Sequence, residues 1–204
     1  MQRVIGYVDG FNLYYGLRQR KWRQFYWIDP FALVASLLAP SQQLLGVKYF
    51  TARVRQPKAK RDRQSKYLDA IRAYSQAEII LGKYYRKPQQ QCRSCGTTWS
   101  TFEEKMTDCA IASHMVADAF RDQFDTAVLV GGDTDLVPPV KMVRRWFPEK
   151  RIISWFPPAR KNQAVADVCH DEGHINGGHL ALAVMPDTIE VAEGVHVERP
   201  PQWS

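Results

Sequence analysis

Five short apolar segments, each parted from the next by a stretch with helical spacing, leave this chain few folds to choose from. The segments are RVIGYVDG (Arg3 to Gly10), LLGVKYFTARV (Leu44 to Val54), AEIILGKYYRK (Ala77 to Lys87), TAVLVGG (Thr126 to Gly132) and RIISWF (Arg151 to Phe156). Their length and their β-branched and aromatic content predict strands. Between them the sequence predicts helices at Phe31 to Leu38, Lys66 to Gln76, Met106 to Phe120 and Leu136 to Trp146. Asp29 and Pro30 open the first of these as N-cap and first helical residue. In the third, Ile111, Ala112, Met115, Val116, Ala119 and Phe120 recur at spacings of three and four, which marks one buried face. Strands that alternate with helices imply an α/β fold with a central parallel sheet covered on both faces. The chain has 204 residues, 45% of them apolar, enough to fill one core. A single domain over 1–204 is expected, with a small insertion at about 88–102 and a C-terminal extension from about 180.

Acidic residues sit where these strands stop. Asp9 follows the first strand, and Asp133 and Asp135 follow the fourth in VLVGGDTDLVPPV. At about 4 Å and an effective dielectric near 20, two carboxylates repel by roughly 4 kcal/mol, so such a cluster needs a cation, a proton or wide separation. In parallel α/β sheets ligands bind beyond the carboxyl ends of the strands, at the point where strand order reverses. If the first and fourth strands are neighbours, Asp9, Asp133 and Asp135 meet there, with Asp108 in the first turn of the preceding helix as a fourth acid. An oxygen-rich set of this kind suits Mg²⁺ or Mn²⁺. The plainer alternative is that each Asp only caps the helix that follows it.

Lys and Arg number 28 against 21 Asp and Glu, a net charge of +7 that is compatible with a polyanionic partner. Much of it is concentrated in RVRQPKAKRDRQSK, where Arg53, Arg55, Lys58, Lys60, Arg61, Arg63 and Lys66 stand against Asp62 alone. This run reads as a loop after a strand end, either simply solvated or steering a nucleic acid toward the acids. The segment after the first strand is aromatic: Tyr14, Tyr15, Trp22, Phe25, Tyr26 and Trp27. Such residues fill a core, form a homodimer contact, or stack on unpaired bases. Cys92 and Cys95 in QCRSCGTTW have the spacing of half a zinc knuckle. Zn²⁺ there needs ligands from Cys169, His170, His174, His179, Cys109 or a second chain; otherwise the turn is metal-free. No stretch reaches the roughly 20 apolar residues of a membrane helix. The expectation is a soluble, cytoplasmic protein with no membrane partner.

Taken together, GYVDGFNLYYGL (Gly6 to Leu17), EEKMTD (Glu103 to Asp108) and DTAVLVGGDTDLVPPVKMVR (Asp125 to Arg144) resemble the NYN domain family, most closely its bacterial LabA-type (DUF88) branch, a relative of the PIN-domain nucleases. The resemblance implies a PIN-like three-layer α/β/α sandwich with a mostly parallel sheet, and metal-dependent endoribonuclease chemistry on RNA. It implies metal-binding roles for Asp9, Asp108, Asp133 and Asp135, a phosphate-contacting role for Asn12 and a charge-supplying role for Lys105. A non-catalytic RNA-binding or regulatory protein is the alternative. Two positions depart from the pattern: His114 stands where the family often has Asp, and Gly131 where many members have Ser. If the His114 imidazole faces the acids, its charged form competes with a metal for them.

Overall fold

The computed structural model describes residues 1–86, 90–92, 94–99 and 102–203. Its strands are β1 (Gln2–Asp9), β2 (Gln42–Ala52), β3 (Ala77–Arg86), β4 (Gln90–Gln91), β5 (Thr98–Trp99), β6 (Phe102–Lys105), β7 (Thr126–Val130), β8 (Arg151–Phe156), β9 (Asp171–His174), β10 (Thr188–Ala192) and β11 (Val195–Glu198). The helices are α1 (Gly10–Gln19), α2 (Pro30–Ala35), α3 (Lys58–Tyr74), α4 (Thr107–Phe120), α5 (Val137–Trp146), α6 (Gln163–Ala166) and α7 (Gly177–Ala181). One seven-stranded sheet runs in the order β6-β3-β2-β1-β7-β8-β9. All its pairings are parallel except that of β6 with β3.

Alternation along the strands divides the apolar residues between two layers. Val4, Val8, Val47, Tyr49, Val128 and Val130 face α1, α2 and α3, meeting Leu13, Leu17, Leu33, Val34, Leu68 and Ile71. Ile5, Tyr7, Phe50, Ala127, Leu129 and Ile152 face α4 and α5, meeting Ile111, Met115, Val140 and Val143. Each wholly buried aliphatic side chain contributes roughly 1.5–3 kcal/mol, so both layers are strongly specified. The result is a three-layer α/β/α sandwich with a mostly parallel sheet, as expected.

Asp29 caps α2 by accepting from the Phe31 N–H at 2.7 Å, with Pro30 in the first position. The basic run departs from expectation. Only Arg53 and Arg55 lie in a loop, whereas Lys58, Lys60, Arg61, Arg63 and Lys66 belong to the first turns of α3, eight residues upstream of the predicted start at Lys66. Lys and Arg are good helix formers, and these turns stand off the core, so they carry no apolar period to betray the helix. Gln64 fixes the start of α3 to the end of β2: its amide accepts from the Val54 N–H at 2.7 Å and donates to the Ala52 carbonyl at 2.9 Å.

A buried polar knot ties β1, β2 and α4 together. Asp118 of α4, 5% exposed, accepts from the Lys48 ammonium and the Tyr7 hydroxyl, both at 2.6 Å. Burial and this carboxylate push the Tyr7 phenol well above its ordinary range. At the opposite edge, Arg3 bonds Asp125 at 2.7 Å and Asp122 at 3.0 Å, while Lys150 reaches Asp122 at 2.5 Å. After α7 the chain returns over the first layer. The antiparallel hairpin β10–β11 packs on α3, and Trp203 lies against Trp27 and Tyr67.

Candidate active site at the switch point

Strand order reverses between β1 and β7, since β2 and β3 lie on one side of this pair and β8 and β9 on the other. Asp9 ends β1, and the turn bearing Asp133 and Asp135 follows β7, so the two motifs flank the switch point. Gly131 presses this turn against the acid: a Cβ added there would lie 3.3 Å from the Asp9 Cβ and 3.9 Å from its Oδ2. Gly132 is locked from the other side, because a Cβ there would come within 2.2 Å of the Arg160 carbonyl. Asn162 secures the same loop by donating to the Gly132 carbonyl at 2.9 Å.

Register carries Asp108 to the same rim. Phe50 pairs with Asp9; two residues on, Ala52 pairs with Gly82; and Lys83 pairs with Lys105, the last residue of β6. The chain thus leaves β6 just beyond the level of Asp9, turns at Met106 in the left-handed region (φ 82) and starts α4, with Asp108 in its first turn. The Lys105 side chain lies outside the described residues.

The acids also do local structural work. Asp9 caps α1, accepting from the Asn12 N–H at 2.9 Å, and Asp133 caps a single turn over Thr134–Leu136, accepting from the Asp135 N–H at 3.1 Å. Capping and ligand binding are compatible, because a carboxylate has several lone-pair sites. Asn12 adds something the sequence did not suggest: its Oδ1 is buried with no hydrogen-bond partner. An orphaned acceptor one turn from Asp9 invites a cation, a water or a hydroxyl.

The donor set is therefore all oxygen, which fits a hard divalent ion in kind. Among the described residues no three Asp, Glu, His or Cys side chains converge as a ready-made metal cluster. Mg²⁺ does not demand one, since it keeps several waters and is held by one or two carboxylates plus substrate phosphate.

His114 does not join the acids. Its ring packs edge-on against Phe50 (5.5 Å between centroids, 71°), and its Nδ1 lies 3.4 Å from the Lys48 Nζ. Through Lys48 it borders the polar knot around Asp118.

A sequence profile of the NYN domain matches residues 3–174. The chain belongs to the NYN domain family. That membership points to a nuclease-like, RNA-related function. Two further likenesses accompany it. The 6-hydroxy-3-succinoylpyridine 3-monooxygenase HspA of Pseudomonas putida is 29% identical, over 90% of this chain and 70% of that protein. A crystal structure of a protein of unknown function from Vibrio parahaemolyticus superposes with a TM-score of 0.53 at 20% identity, covering 86% of this chain and 94% of the other, a likeness of fold.

Between α1, α3 and Trp203 this NYN domain has a cavity of about 140 Å³, whose lining includes Gly10 and Phe11, the residues that follow Asp9. Tyr14, Phe25, Tyr26, Tyr49, Tyr67 and Trp203 form much of its wall. Arg18, Lys60 and Arg63 stand among its lining residues, so part of the basic run faces it. Tyr14 and Tyr26 pack at 5.0 Å and Tyr26 and Trp203 at 5.8 Å. Burial raises the Tyr49 and Tyr67 phenols, which keeps them uncharged. Trp27, by contrast, is entirely buried and belongs to the core. Sequence inspection missed this cavity because its walls come from four separate stretches; only the aromatic density after the first strand hinted at it.

Cys92 and Cys95 form a tight turn in the β4–β5 hairpin, with the Gly96 N–H donating to the Cys92 carbonyl at 2.9 Å. The backbone N–H groups of Cys95 and Ser94 lower the Cys92 thiol to about 7. No third ligand joins the pair among the described residues. His170 is occupied by the Ile152 N–H at 3.0 Å, and His179 completes the capping box of α7. Within one chain the hydrogen-bonded turn is what the described residues form. No helix among them is long and apolar enough to cross a membrane.

Proposed function

We propose that this protein is a metal-dependent endoribonuclease whose reaction centre lies between Asp9 and the turn from Gly131 to Asp135. The observation that supports this best is the approach of the two acidic motifs at the sheet's switch point, with an orphaned Asn12 oxygen beside them. Asp9 and Asp133 are the residues that would hold Mg²⁺ or Mn²⁺, with Asp108 and Asp135 at the margin of the site. A bound divalent ion supplies a water of lowered pKa and neutralises charge on the phosphate. The chain's own residues orient the strand. On this reading exposed Asp135 would direct the attacking water, the Asn12 amide would engage that water or a ribose hydroxyl, and Lys105 would supply positive charge to the phosphate. The cations at the start of α3 stand above the C-terminal ends of β1 and β2 and draw a polyanion to the rim.

Asp133→Asn tests the assignment cleanly, because Asn caps as well as Asp and the turn survives while the charge is lost. Cleavage of single-stranded RNA in Mn²⁺ should fall by orders of magnitude at unchanged melting temperature. Undiminished cleavage would refute the reaction centre.

The aromatic cavity favours one other reading. The Pseudomonas putida relative is named for oxygenation of 6-hydroxy-3-succinoylpyridine, a single aromatic ring. On this reading the cavity holds a small aromatic compound that this chain transforms. RNA left intact by wild-type protein in Mn²⁺, together with tight binding of a pyridine carboxylate, would decide for it.

A further inference from the structure

We propose that the cavity between α1, α3 and Trp203 is a base pocket of the RNA substrate and that it accepts a pyrimidine. The inference rests on the RNA reading above and names the substrate feature that this reading leaves open.

Size is the first argument. A cavity near 150 Å³ holds one benzene ring, so about 140 Å³ matches the scale of a single six-membered ring. Chemistry is the second. The walls are phenol, phenyl and indole rings, and a planar base stacks on such faces whatever its edge pattern. Burial keeps the Tyr49 and Tyr67 phenols uncharged, so these walls add no negative charge beside a base.

Charge placement is the third. Lys60 and Arg63 stand at the cavity, and neither is ion-paired among the described residues, whereas neighbouring Arg61 is held by Asp62 at 3.2 Å. Together with Arg18 they provide the cationic side that a 5′- or 3′-phosphate on the seated base requires. Connectivity is the fourth. Gly10 and Phe11, which line the cavity, follow Asp9 directly in the chain. A nucleotide seated there has its phosphate on the rim shared with the acids, so pocket occupancy places the neighbouring phosphodiester in the crevice.

The test uses the full chain in EDTA, where binding is read without cleavage. Isothermal titration with UMP, CMP, AMP and nicotinate should show both pyrimidine nucleotides binding about tenfold or more tightly than AMP, the scale on which an apolar pocket rejects a misfit. Tyr14→Ala should weaken UMP by about 5- to 150-fold, the worth of one stacked base. Lys60→Ala, an exposed substitution that leaves the fold intact, should weaken UMP as well.

Equal binding of AMP and UMP would overturn the proposal, as would binding of nicotinate alone, binding of nothing, or indifference to both substitutions. A second readout separates this failure from that of the nuclease reading. With Mn²⁺, oligo(U) should be cleaved faster than oligo(A). Equal, Asp133-dependent cleavage of the two would sink the pocket and keep the nuclease.

Discussion

Removing the carboxylate of Asp118 should destabilise the protein far more than any rim acid does. The group is 5% exposed, and Lys48, whose side chain is 17% exposed, reaches it at 2.6 Å; Tyr7 donates to it at the same distance. Asp118→Ala leaves an ammonium and a phenol in apolar surroundings, and breaking a buried pair from one side costs about 3–5 kcal/mol. For a chain of this size each kcal/mol moves the melting temperature by about 2–4 °C, so a fall of roughly 6–20 °C is expected. Replacing both partners by apolar residues, as in Lys48→Met with Asp118→Leu, should recover most of it, because the desolvation penalty disappears with the charges. Differential scanning calorimetry on the wild type, the single variant and the double variant decides the matter. A fall of under about 2 °C for Asp118→Ala would show that water or another group takes over the role. A double variant as unstable as the single would show that shape, not charge, holds α4 to the sheet.

Gly132→Ala should cripple the protein, since its Cβ would sit 2.2 Å from the Arg160 carbonyl; lowered melting temperature and lost RNA cleavage are expected together. Replacing Lys58, Lys60, Arg61 and Arg63 with Ala should weaken RNA binding and flatten its salt dependence, by about 0.7 in log–log slope for each phosphate of a single strand that is no longer neutralised. Alkylation of Cys92 by iodoacetamide should rise through about pH 7, whereas burial pushes Cys169 up to about 11 and leaves it unreactive at neutral pH; mass spectrometry distinguishes the two. Arg3 holds Asp125 and, with Lys150, Asp122 below the usual carboxylate range, so their contribution is present above that range and is lost as pH falls through their lowered values. Arg3→Ala should therefore move acid unfolding, followed by circular dichroism, to higher pH.

Much of the scaffold can be read from residue order alone. All five predicted strands form, and the four predicted helices lie where their apolar periods or caps put them, because burial on one or both faces leaves a periodic trace. The start of α3 left none, since Lys58, Lys60 and Arg61 face water. Helix α1 was equally silent: GFNLYYGLRQ mixes two glycines with aromatics that pack on one another and on Tyr26 rather than along a regular stripe. Edge strands β6 and β9, FEEK and DEGH, are too polar to show a strand pattern. At the site, the positions of Asp9, Asp133 and Asp135 follow from strand ends, but their adjacency depends on strand order, which no local pattern encodes. The orientation of His114 toward Lys48 likewise depends on the register of α4 over the sheet.

Trp203 gives the cavity a place in time as well as in space. The ribosome delivers Tyr14, Tyr26, Tyr49 and Tyr67 early, yet the wall they share with Trp203 stays open until the residues after Arg199 have been made and docked. The sheet, complete with β9, can assemble before that, as domains do while synthesis is still running. During synthesis the acidic crevice therefore takes shape ahead of the aromatic wall, which closes only once Trp203 has docked.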